Sequence, residues 1–268
     1  MLTSLLKKIP DLQTIKERGR RQLHIRKVRA LIKRLYPLSI DKELIRFGPN
    51  GDGGYLIPDD LEGIHACFSP GVSDISGFEK DCADQGIKVF LADASVDKAA
   101  DEHELFHFTK KFIGGTERDN FITLDDWVNS STNEGSSDLM MQIDIEGDEY
   151  EVFDATSKAL MQRFRIIVAE FHELDKLAEM DSDRCKEIFS VLNQILTTHS
   201  CVHLHPNNCC GSLPYEDFDF PKVMEFTFVR KDFIKQSSYQ TNFPHPLDYN
   251  NTPNPTLELP KCWIGGNK

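Results

Sequence analysis

The feature that most constrains this chain is an alternation between short apolar runs and segments with helical spacing. "IHACFSPG" reads as a strand ending at Gly71, "SGFEKDCADQ" as a short helix, and "KVFLADAS" as a second strand with an acidic end. "KFIGG" reads as a third short strand, and "TLDDWVNS" as a helix opened by Thr123 as a cap, with Asp126 three residues on. "DLMMQIDIEG" is a fourth strand, "EYEVFDATSKALMQ" a helix and "FRIIVAEF" a fifth strand. An amphipathic helix, "DSDRCKEIFSVLNQILTTH", follows, capped by Ser182 or Asp181. Strands alternating with helices imply an α/β fold, a parallel sheet covered by helices on both faces. The end breaks the rhythm, because "CVHLHP" and "VMEFTFVRK" are joined by a loop without a helix. Two strands so joined are most simply antiparallel, so the last strand is expected to run against the others.

Ahead of the alternation, "LIRFGPNGDGGYLIPDDL" places a turn cluster, Pro49 to Gly54, between two apolar runs, as a hairpin or a loop before a strand does. Earlier still, Leu23, Val28, Leu31, Ile32 and Leu35 are spaced to share one helical face, and Pro37 ends the helix. Met1 to Tyr36 carries 11 Lys/Arg against 2 acidic residues in a chain of 268 residues and net charge -12. This basic helix has two readings, packing on the acidic body of its own chain or contact with a partner or an anionic membrane surface. The division expected is an N-terminal basic helical extension, 1–40, and one domain, 41–268. The acidic balance disfavours a general nucleic-acid binder. No apolar run approaches the roughly 20 residues of a spanning helix, and the seven cysteines form no CxxC pair. A soluble, cytoplasmic protein with free thiols is expected. The Pro- and Asn-rich tail from Asn242 onward is expected to lie extended over the surface.

In an open parallel sheet, ligands bind beyond the carboxyl ends of the strands. Those ends here offer Gly71, Asp93, Asp144, and Glu170 followed by His172. Asp148 and Glu149 suit the positive start of the next helix, and Glu151 suits solvent. That leaves Asp144 and Glu146 without a local structural task.

Here a resemblance becomes specific. "LMMQIDIEGDEYEVF" resembles the signature of FkbM-type methyltransferases, apolar-K-I-D-hydrophobic-E-G-x-E, and "FITLDDWV" resembles that family's T-L-D-D segment. "GPNGDGGYLI", "SDISGFEKD", "HPNN" and "HPLDYNNTPNP" are similar to segments of members acting on polysaccharides. Gln142 departs from the family's common lysine, and "SPGVSDISGFE" from its usual G-x-N-x-G loop. The resemblance spans roughly Leu44 to Pro255. It implies a seven-stranded, Rossmann-like class I methyltransferase sheet with its last strand antiparallel, and S-adenosylmethionine as cofactor. By the same resemblance Gly71 and Ser73 line the methionine moiety, Asp93 with its neighbour Ala94 meets the ribose, and Asp125 or Asp126 lies near the adenine. Glu79 and Asp52 complete the implied cofactor contacts, Asp52 from a loop that closes over the site.

The implied reaction is methyl transfer to a sugar hydroxyl of a glycan or glycoconjugate. A sugar hydroxyl is a weak acid and needs a base or a metal ion to ionise. Asp144, Glu170 and His172 offer oxygen and imidazole ligands suited to Mg²⁺ or Mn²⁺, with His172 or Glu170 the competing general base. The alternative is that Asp144 and Glu146 only position substrate. Glu146, His205 and Asn208 are the substrate-contact candidates, His205 and Asn208 from the "HLHPNN" segment beside the mouth. Other readings keep the fold and change the acceptor to a small molecule, lipid or protein side chain. A further one makes the chain a noncatalytic module recruiting a glycan-synthesis complex.

Overall fold

The computed structural model describes residues 12–72, 74–132 and 138–266. Its centre is a seven-stranded sheet of β1 (Ile64–Pro70), β2 (Lys88–Ala92), β3 (Phe106–Thr109), β4 (Asp138–Ile143), β5 (Phe164–Phe171), β6 (His199–Pro206) and β7 (Met224–Arg230). The spatial order is β6-β7-β5-β4-β1-β2-β3. β7 pairs antiparallel with both β5 and β6, while β5/β4, β4/β1, β1/β2 and β2/β3 are parallel. The order reverses between β4 and β1, which opens a crevice at their carboxyl ends.

Every residue of β5 is buried, and β1 and β4 are nearly so, as strands covered on both faces must be. One face packs against α1 (Leu12–Arg34), α3 (Leu124–Ser131), α4 (Glu149–Ala155) and α6 (Asp183–Thr198). The other packs against α2 (Gly77–Asp84) and the antiparallel hairpin of Leu44–Phe47 with Tyr55–Pro58. α3 and α6 start where the sequence places their caps: Thr123 accepts from the Asp126 amide and Ser182 from the Cys185 amide. The segment expected as one helix after β4 is two, because Ser157 caps a new short helix, α5 (Lys158–Met161), after α4 ends at Ala155.

The third strand is not "KFIGG". β3 is Phe106–Thr109, a half-exposed edge strand, and Phe112–Gly114 instead pairs with Phe121–Thr123 in a small parallel sheet of its own. In α1 the buried face is His24, Ile25, Val28, Leu31, Ile32 and Leu35. Leu23 is 54% exposed, one helical step off the face expected for it. Each of the five buried aliphatic side chains stabilises the docking by about 1.5–3 kcal/mol. The exposed ion pairs that join the helix to the acidic body, Arg20–Asp181, Arg21–Glu216 and Arg29–Asp217, add at most about 1 kcal/mol apiece.

Candidate active site

A cavity of about 600 Å³ opens at the carboxyl ends of β1, β2 and β4. Gly71 follows β1 with φ +85, and a Cβ there would collide with the Asp144 carbonyl oxygen. The glycine therefore lets the ends of β1 and β4 close on one another. Asp93 follows β2, and its Oδ1 accepts the Ser95 amide at 2.7 Å. From the edge, Phe112 and Phe121 pack together with centroids 5.3 Å apart and planes tilted by 43°, and Arg118 lies over Phe121. The wall also holds Asp52, Tyr55, Glu79, Gln142, Asp144 and Glu146.

Beyond Asp144 the chain turns through two residues of positive φ, Glu146 (59) and Gly147 (111). The turn aims the first residue of α4 inward, so Glu149 is fully buried. Its Oε1 accepts three bonds: from the Ile145 amide (3.0 Å), the Gly147 amide (3.1 Å) and His172 Nδ1 (3.1 Å). In the neutral ring, with Nδ1 donating to the Glu149 carboxylate, the other ring nitrogen of His172 is the acceptor. That nitrogen, Nε2, faces Glu146 Oε2 at 3.5 Å, Glu170 Oε1 at 3.8 Å and Asp144 Oδ1 at 4.0 Å.

This cluster is crowded with acid and short of donors. Asp144 Oδ1, Glu149 Oε2 and Glu170 Oε2 are buried without a hydrogen-bond partner. Burial raises Asp144 to about 7, with His172 opposing and Glu149 and Glu146 reinforcing. Burial likewise pushes Glu170 well up, helped by Asp144 and Glu225. For His172, burial alone would lower the imidazole; the Glu149, Asp144 and Glu146 carboxylates outweigh it and raise it.

The cavity thus brings together Asp52, Gly71, Glu79, Asp93, Asp144 and Glu146, with Glu170 and His172 adjoining Asp144. Ser73 lies outside the described residues. Ala94 is not on the cavity wall. Asp125 also points elsewhere, its Oδ2 accepting the Ser157 amide at 2.9 Å to join α3 to the start of α5. His205 sits apart in a second cavity of about 310 Å³ under the tail, near Asp248. Asn208 is a staple for that tail, donating to the Thr252 and Asn254 carbonyls and accepting from the Thr252 amide. Its amide donors are both taken by the tail.

Sequence reasoning missed Glu149, Phe112, Phe121 and Tyr55. Glu149 looks like an ordinary helix-start acid, yet it is the final glutamate of the D-x-E-G-x-E pattern, and a glycine two residues before it is the signal for an inward turn.

Residues 74–200 match the family model of the Methyltransferase FkbM domain. Over those residues, a little under half of its length, the chain is similar to FkbM methyltransferase domains. Its match contains β2 through β5, Asp93, Asp144, Glu149 and His172. Among solved structures, an FkbM methyltransferase from Methylobacillus flagellatus is similar at 10% identity and TM-score 0.36, over 61% of this chain and 44% of that one. A protein assigned as a methyltransferase of an antibiotic biosynthesis pathway in Anabaena variabilis is similar at 12% identity and TM-score 0.32, over 53% and 60%. The aligned part thus spans less than two thirds of either structure's chain. Comparison with curated proteins gives no match. Among the described residues, no helix is long and apolar enough to cross a membrane.

Proposed function

We propose that this chain transfers a methyl group from S-adenosylmethionine to a sugar hydroxyl of a glycan or glycoconjugate, in the cytoplasm. The observation that carries the reading is the single cavity joining Gly71, Asp93 and Asp144 at the point where the strand order reverses. Asp93 suits a ribose diol, and the apolar surface that Phe112 and Phe121 give the cavity wall suits an adenine ring. Gly71 admits backbone close to the methionine end. When bound, the cofactor supplies an electrophilic methyl group; the chain must align the acceptor and take its proton.

His172 is the group for that proton. Glu149 holds its Nδ1–H and so keeps Nε2 as the lone-pair nitrogen, the role an orienting carboxylate plays behind a catalytic imidazole. Nε2 opens toward Asp144 and Glu146 at the cavity mouth, where Glu146 is exposed to meet the acceptor.

A divalent ion fits the same place as an alternative to that base, because an Nε2 lone pair that binds a metal cannot also take the proton. Three buried carboxylate oxygens without donors are what a cation site leaves behind, and one oxygen or nitrogen from each of Asp144, Glu149 and His172 falls within 4.8 Å of the others. Glu149 Oε1 is already committed to three donors, so Asp144, Glu170 and His172 Nε2 are the better ligand set, with Glu149 behind the histidine. Mg²⁺ or Mn²⁺ there would lower the pKa of the acceptor hydroxyl.

Calorimetric titration of the full chain with S-adenosylmethionine tests the core of the reading: saturable binding is expected, and folded protein that shows none would sink it. Transfer of labelled methyl to oligosaccharide acceptors tests the acceptor class. Activity that survives exhaustive chelation would assign proton removal to His172 alone.

A further inference from the structure

The floor of the cavity holds a buried carboxyl that the chemistry above does not use. Glu79, in the first turn of α2, is 4% exposed and lines the cavity. Its Oε1 lies against Ser69 Oγ, and the same hydroxyl sits 2.6 Å from Gln142 Oε1. A hydroxyl has one proton and donates once. With Glu79 ionised and the Gln142 amide as it stands, two buried acceptors compete for that proton, and the loser costs about 1–3 kcal/mol. Two arrangements satisfy all three residues. In one, a neutral Glu79 donates to Ser69, which donates on to Gln142 Oε1. In the other, the Gln142 amide is turned, its Nε2 donates to Ser69, and Ser69 donates to an ionised Glu79. They differ by one proton and one amide rotation.

The surroundings favour the neutral form until a cation arrives. Burial raises Glu79 to about 7; the Ser69 bond and the residue's own amide oppose this, and Asp101 adds to it. Asp74, Asp93 and Asp144 share the cavity wall, and among the described lining residues there is no Lys, Arg or His. On α2 itself the charged groups are engaged away from Glu79, with Lys80 bound to Asp84 and Asp81 accepting the Gly48 amide.

We propose that Glu79 carries a proton in the ligand-free protein and loses it to solvent when a cationic methyl donor enters, so that donor binding is coupled to proton release through the Ser69–Gln142 relay. The inference rests on reading this cavity as the S-adenosylmethionine site. The donor brings a sulfonium and an ammonium, and a positive charge held beside a buried carboxyl favours its ionised form. After transfer the sulfonium is gone, and the carboxylate has less reason to stay charged. Donor and product are thereby told apart by charge as well as shape.

The test has two arms. The first needs no ligand: carbon-13 NMR of labelled glutamate side chains across pH 4 to 9, with the Glu79 signal assigned by its absence in Glu79→Gln. A midpoint near 7 is expected, and one near the ordinary 4.5 would overturn the proposal whatever the cavity binds. The second is calorimetry with S-adenosylmethionine at pH 6 in two buffers of different ionisation enthalpy. Wild type should release close to one proton more than Glu79→Gln, and its affinity should fall by up to about tenfold per pH unit below the midpoint, with Glu79→Gln losing that dependence. Equal proton release by wild type and variant would overturn the coupling. Binding by neither would instead overturn the cofactor reading. Ser69→Ala, which breaks the relay but keeps the carboxyl, should retain proton release with a displaced midpoint; an unmoved midpoint would remove Ser69 and Gln142 from the scheme.

Discussion

β4 begins on one aspartate and is followed at once by another, and the fold treats them in opposite ways. At the amino end, Asp138 accepts from Arg165 (Nη2 at 2.7 Å, Nε at 3.1 Å) and from Arg230 (Nη2 at 2.7 Å). Arg165 spends its remaining donors on the Asp60 and Glu62 carbonyls, and its guanidinium stacks on Phe233. At the carboxyl end, Asp144 has a distant tyrosine hydroxyl at 3.5 Å, a histidine nitrogen at 4.0 Å, and an oxygen with no partner. Six residues apart on one strand, the first aspartate is matched and the second is left in deficit. Matched buried charge holds the strand in place; unmatched buried charge is retained where something else must complete it.

The sharpest way to test that contrast is to neutralise Asp144. Asp144→Asn should lower methyl transfer by about 10²–10⁴-fold while leaving the thermal midpoint equal or higher, since a strained charge is removed. Steady-state rates beside thermal denaturation check both halves, and a large loss of stability would mean Asp144 is structural after all. The mirror experiment is Asp138→Ala. It strands Arg165, only 5% exposed at its side chain, and removing one partner of a buried pair costs about 3–5 kcal/mol. Urea denaturation should show that loss; a change under 1 kcal/mol would dissolve the distinction between the two ends. Third in size is the response to a cation. Mn²⁺ at about 100 times its Kd should stabilise wild type by about 2.7 kcal/mol, and His172→Gln should abolish the effect, as read by thermal shift in the chelated and reloaded protein.

How much of this was visible in the sequence differs between the same two ends. The strands β1, β4, β5 and β7 were legible because burial on both faces keeps their sequences mostly apolar. β3 was not, because an edge strand alternating Phe106 and Phe108 with an exposed histidine has no apolar run, whereas "KFIGG" beside it does. At the carboxyl end, strand-terminal acids were found by position, so Asp93 and Asp144 came out on the cavity wall. Glu149 did not, since its inward aim depends on backbone torsions at Glu146 and Gly147 that composition does not report. The placement of Asn208 and His205 under the tail was not legible for the converse reason. Their neighbours, Thr252, Asn254 and Asp248, are more than 40 residues away in sequence, so nothing local shows that the tail already occupies them.

The smallest effect expected is the most diagnostic of the deficit as a whole, because it is read from stability alone. Asp144 and Glu79 are each raised to about 7 from ordinary values of 3.8 and 4.5, and His172 is raised from 6.5. In all three cases the folded chain binds protons more tightly than the unfolded chain. For the carboxyls, stability is therefore highest below about pH 4 and is lost as pH rises toward 7; for the histidine, stability present below 6.5 is lost as pH rises through its folded pKa. The signs agree, so between pH 5 and 8 these groups make the protein less stable as pH increases, by at most about 1.4 kcal/mol per unit for each group. Buried His199, lowered to about 4 by burial, contributes the opposite slope below 6.5, so the effect is read as the difference between wild type and variants. Asp144→Asn and Glu79→Gln should each flatten the curve, and their effects should be nearly additive if the two carboxyls titrate independently. Variants whose pH-stability curves run parallel to wild type from pH 5 to 8 would show that the carboxyl end is as well matched as the amino end, and the contrast on which the candidate site rests would be gone.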